Sequence, residues 1–159
     1  MKVLEMQVNA LMRLCTAERD SEREEARAEL RNLLEFPAAP AADPEQEVRR
    51  ILLELGAPDH LTGHPYVIEG ILLALGNRMY IQNITFLLYP QLAATFDTTA
   101  SRVERAIRHL IEVTWARGDY DILNRYFGNT ISPDKGKPTN GEFIARLCNV
   151  VKERMRESA

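Results

Sequence analysis

Residues 97–118, DTTASRVERAIRHLIEVTWARG, decide how this chain is read. Advanced at about 100° per residue, the stretch sorts into two faces. Val103, Ala106, Ile107, Leu110, Ile111 and Thr114 share one arc of roughly 140°, which suits burial in a core. Ser101, Arg102, Arg105, Arg108 and His109 occupy the opposite arc, joined by Glu104 and Glu112. The spacing Ser101-x-x-Glu104 fits a capping box, in which each side chain satisfies a free amide at a helix N-terminus. Gly118 suits a left-handed stop after the last turn.

Just upstream, Leu88 to Phe96 reads as a short helix opened by Pro90, and Asp97-Thr98-Thr99 is too rich in cap-forming residues to continue it. A short helix, a tight turn and a helix with a basic outer face form a helix-turn-helix pattern. The chemistry agrees: an Arg fork pairs bidentately with guanine in the major groove, while Arg, Ser and His hold phosphates. The competing reading is a solvated face of arginines paired with glutamates. The preceding helix and turn favour DNA.

The surrounding chain is of ordinary globular composition, with 45% hydrophobic and 27% charged residues among 159. Its net charge of −3 runs against nucleic-acid binding, so the distribution matters. Residues 1–90 hold 9 Lys and Arg against 14 Asp and Glu, whereas residues 91–159 hold 11 against 9. Positive charge therefore gathers mildly where the motif lies. Cys15 and Cys148 are far apart and lack metal-ligand spacing, so two buried thiols are expected. Glu5, Gln7, Asn9 and Arg13 interrupt the N-terminal apolar residues, which argues against a signal peptide. No apolar run approaches the roughly 18 residues that span a bilayer. A cytoplasmic location without membrane attachment is expected.

Helical spacing over 2–15 and again from about Ser21 to Glu35 predicts an N-terminal helical arm, residues 1–35, able to serve in dimerisation. The Arg19, Arg23, Arg27 and Arg31 stripe, flanked by glutamates, reads as a mixed-charge solvated face. Residues 36–44, with three prolines, predict a linker, and 45–159 a second domain. Within it, helices are expected over 45–56, 66–76, 121–127 and from Thr139-x-x-Glu142 to about Glu157, with Gln82 to Leu88 leading into the helix-turn-helix. Ala57 to Pro65 is expected as a loop. His60 and His64 lie in that loop without a completing ligand set, so no metal is expected. Strand signals are missing, and the expected class is an all-α helical bundle containing a helix-turn-helix. With no Gly-rich phosphate loop, no nucleophile matched to a His and no cofactor motif, an enzyme is not expected.

The run TTASRVERAIRHLIEVTWARG, the later KPTNGEFIA and the earlier LLELGAPDHLTGH together resemble the C-terminal DNA-binding domain of the stage-zero sporulation response regulator A family of endospore-forming Firmicutes. The resemblance spans about Glu45 to Arg154. It implies a transcription regulator that binds promoter boxes in double-stranded DNA, often as tandem dimers. Arg102, Glu104 and Arg105 match base-facing positions, and Ser101, Arg108 and His109 match positions on the adjacent backbone. Lys135 and Lys137 lie in a segment matching the family's and are expected phosphate contacts.

The departure is the N-terminal part. Family members carry an α/β receiver with a phosphorylated Asp, whereas residues 1–44 are too few for such a fold and helical in pattern. A regulator without a phosphorylation switch is the first expectation. The second is an interaction module that pairs with and modulates a full-length relative. Partners expected beyond DNA are a homodimer through the N-terminal helices, and RNA polymerase or a related full-length regulator.

Overall fold

The computed structural model describes residues 5–9, 11–12, 20–34, 42–131, 134 and 136–158, which form helices joined by turns and short irregular links, with no strand among them. The chain divides into two units, Met1–Ala41 and Ala42–Ala159.

In the first unit, residues 5–9 and 11–12 are helical and α1 spans Asp20–Leu34. Ser21 is the second residue of α1. Ala26 is buried, while Met6, Val8, Leu11 and Met12 are exposed. Cys15, Arg19 and the expected linker through Ala41 lie outside the described residues.

The second unit begins earlier than the prolines suggest. Asp43 caps α2 (Pro44–Glu54) by accepting from the Glu45 amide, and Pro44 occupies the first turn, where its missing N–H costs nothing. The helix ends in a Schellman motif: Gly56 is left-handed (φ +74°), its amide bonds to Leu53 O and that of Ala57 to Leu52 O. Helix α3 (Gly63–Gly76) corrects the expected loop over 57–65. Gly63 and Pro65 read as breakers, yet Pro is tolerated in a first turn. His64 is consequently helical and buried. Burial holds its imidazole pKa below the ordinary value, the neighbouring Asp59 opposing.

Helix α4 (Met79–Gln82) and a π-helical turn (Ile84–Leu88) lead into α5 (Tyr89–Thr95). Then follow α6 (Ala100–Arg117), α7 (Tyr120–Phe127) and α8 (Asn140–Glu157). Asp119 caps α7, and Thr139 with Glu142 forms the expected capping box of α8.

The core gathers on α3. Its Val67 and Ile71 are fully buried with Leu88 of the π-helical turn, Leu92 of α5 and Ile144, Leu147 and Val151 of α8. Cys148 is a buried free thiol with its pKa raised by desolvation. Phe127 and Phe143 stack at 5.4 Å between centroids, and Trp115 meets their edges at 5.0 and 6.2 Å, joining the end of α6 to α7 and α8. A polar node closes the other side: Arg154 bridges to Glu54 at 2.9 Å, and the Tyr126 hydroxyl donates to the Glu54 carboxylate. No helix among the described residues is long and apolar enough to cross a membrane.

Candidate nucleic-acid interface

The candidate interface rests on how α5 ends and α6 begins. At the end of α5, Asp97 takes the left-handed conformation (φ 50°) and Thr98 N bonds to Ala93 O at 2.9 Å, the long bond of a Schellman motif. Asp is one of the few residues besides Gly that visits this region without heavy cost. The chain leaves extended, and the Thr99 hydroxyl accepts from Arg102 N at 3.3 Å. Thr99 is therefore the cap, which corrects the expected Ser101–Glu104 box. Ser101 is already the second residue of the helix, and Glu104 turns instead to Arg108 one turn later. At the far end Gly118 is extended (φ −71°), not left-handed. Glycine is needed there for space, since a Cβ would meet Thr114 O at 2.6 Å and Leu55 O at 3.0 Å.

Below this entry, the apolar arc behaves as its period dictates. Val103, Ile107, Leu110, Ile111 and Thr114 are buried, and the Thr114 hydroxyl donates to Leu110 O at 2.7 Å. Burying the four aliphatic side chains contributes about 1.5–3 kcal/mol each, which anchors α6 from behind. Tyr66 of α3 packs on Phe96 at the motif's turn, centroids 4.8 Å apart.

The opposite arc stands out as a ridge between two grooves. On one flank Arg102, Arg105 and His109 face Leu61, Thr62 and Gly63 across a cavity of about 480 Å³. On the other, Glu104, Arg108 and Glu112 face Tyr89, Lys137 and Asn140 across one of about 570 Å³.

The expected site residues divide between these flanks. Arg102, Arg105, His109 and Ser101 are exposed, and among the described residues no ion pair or side-chain hydrogen bond holds them. Arg108 is exposed but ion-paired to the half-buried Glu104. Lys137 is exposed and bonds Glu112 at 3.2 Å. Lys135 lies outside the described residues. The Arg108–Glu104 and Lys137–Glu112 pairs are surface contacts worth at most about 1 kcal/mol each, so neither side chain is strongly withheld from an incoming phosphate. An unpaired guanidinium needs no such exchange. Arg102 and Arg105 are the groups best placed for a new bidentate partner. No cluster of three or more metal-ligating side chains occurs among the described residues.

Two residues that position this surface escape sequence reading. Gly63 lets α3 rest against α6, and Asn140 reaches both Tyr89 and α6. Residues 48–151 match the family model described as "Sporulation initiation factor Spo0A C terminal". The match begins within α2, takes in the whole motif and ends within α8.

Proposed function

The chain belongs to the Spo0A C-terminal family, and from that premise we propose that it is a sequence-selective DNA-binding transcription regulator acting without phosphorylation of its own residues. The observation that carries this is the ridge on α6, where Arg102 and Arg105 stand exposed and unpaired among the described residues. Such forks read guanine O6 and N7, and Glu104 accepts from a neighbouring base once Arg108 leaves it to pair with a phosphate. Ser101, Arg108, His109, Lys135 and Lys137 hold the flanking backbone. The family itself speaks for DNA-binding regulation and against an enzyme.

The exposed residues Met6, Val8, Leu11 and Met12 favour a second role for the first unit, as a surface for a homodimer or a full-length relative. RNA polymerase is a further partner for a promoter-bound regulator.

The test is a fluorescence-anisotropy titration of unphosphorylated protein against a duplex it has selected. Arg102→Ala and Arg105→Ala are each expected to weaken binding by about 1–3 kcal/mol and to relax base preference. Parent-like binding by both variants would sink the proposal. Binding only after phosphorylation would sink its switch-free form.

A further inference from the structure

We infer that Asn140 is a positioning residue for the recognition helix, fastening α6 to α5 through one side-chain amide from a third element. The inference rests on the DNA-binding reading above. Thr139 and Glu142 cap α8, so Asn140, its first residue, is released from capping and turns its side chain inward. Its Nδ2 donates to the Tyr89 hydroxyl at 3.0 Å and to the Glu104 carbonyl oxygen at 3.0 Å. A backbone carbonyl only accepts, so the amide must present its nitrogen there and its orientation is fixed by chemistry.

The two partners are well chosen for holding an angle. Tyr89 opens α5, and burial raises the pKa of its hydroxyl above the ordinary 10. Glu104 lies between Arg102 and Arg105 on α6. The aliphatic packing of Val103, Ile107 and Leu110 is attractive but non-directional, and permits the helix to roll or slide by a fraction of an ångström. Hydrogen bonds weaken steeply with angle and distance, so two of them from one amide remove that freedom. Reading a base edge bidentately needs placement within about 0.5 Å. A roll of α6 would cost sequence reading before it cost affinity for phosphate.

The deciding experiment titrates the parent, Asn140→Ala, Asn140→Asp, Tyr89→Phe and Asn140→Ala/Tyr89→Phe on a parent-selected duplex and on random duplex, at a temperature where circular dichroism shows all five folded. Asn140→Ala should lose about tenfold on the selected duplex and less than about twofold on random duplex. Tyr89→Phe should lose about threefold, and the double variant no more than Asn140→Ala. Asn140→Asp separates positioning from stability. Its charge suits a helix N-terminus, yet it cannot donate to the Glu104 carbonyl. It should keep its melting temperature and lose sequence preference. An unchanged preference ratio in Asn140→Ala and Asn140→Asp, or losses that simply follow melting temperature, overturns the inference. A parent that binds no duplex overturns the DNA reading instead. In that case residual dipolar couplings decide for Asn140: a changed α5–α6 orientation in Asn140→Asp supports its role, and an unchanged one rejects it.

Discussion

A Cβ on Gly63 would stand 2.3 Å from the carbonyl oxygen of Ala106, so α3 rests its backbone directly on that of α6. The same added atom would lie 2.8 Å from Ala106 C and 3.1 Å from Leu110 Cβ. Backbone on both sides leaves no flexible group to yield. Gly63→Ala should therefore destabilise the second unit by about 1–3 kcal/mol and displace α6. Urea denaturation gives the first effect, and a loss of DNA affinity at low temperature gives the second. An unchanged midpoint would mean that the helices separate at little cost.

Thr99, as the cap of α6, predicts a clean contrast. Thr99→Ala should cost about 1 kcal/mol of unfolding free energy. Ser101→Ala, an exposed helical position, should stay within about 0.5 kcal/mol while weakening DNA binding if Ser101 holds a phosphate. A larger loss from Ser101→Ala than from Thr99→Ala would return the cap to Ser101.

The Tyr126–Glu54–Arg154 node predicts pH dependence at both ends. Desolvation, followed by the hydrogen bond to Glu54, pushes the Tyr126 hydroxyl up to about 12 from an ordinary 10. Between those values the unfolded chain loses its proton first. The folded state then binds more protons, and stability falls as pH rises. Tyr126→Phe should flatten that alkaline slope. Arg154 holds the Glu54 carboxyl below its ordinary 4.5, against an opposing desolvation. Its contribution is present above that value and fades as pH falls through the folded one, so Glu54→Gln should reduce the acid-side slope. Urea midpoints across pH 3–5 and 9–12 check both signs.

Lys137 predicts a purely electrostatic effect. Its pair with Glu112 is exposed, so Lys137→Ala should leave stability within about 0.5 kcal/mol. If it neutralises a phosphate, the slope of log affinity against log salt should shrink by about 1 on any sequence. A full slope in the variant would remove Lys137 from the interface.

The apolar arc of α6 was legible because a 3.6-residue period needs no partner to be seen, and the same holds for the core residues of α3 and α8. Cap identity was not. Thr99 and Ser101 have similar cap chemistry, and the choice is made by Asp97 entering the left-handed region and delivering Thr99 extended. Pro65 misled because proline punctuates sequence in both directions, ending one helix and fitting the first turn of another. Of the site, the exposure of Arg102 and Arg105 follows from their arc, and the Glu104–Arg108 pair follows from its i,i+4 spacing. Asn140 could not be read. Its partners lie 36 and 51 residues away, and local periodicity carries no signal over that range.

The most direct measurement is selection of duplexes from a random pool by the unmodified protein, repeated with the Arg102→Ala/Arg105→Ala variant and at two salt concentrations. The ridge on α6 predicts a shared short motif for the parent at both salts, and its loss in the variant while weak salt-sensitive binding persists. A parent that enriches no motif, or a variant that enriches the same one, would contradict the account.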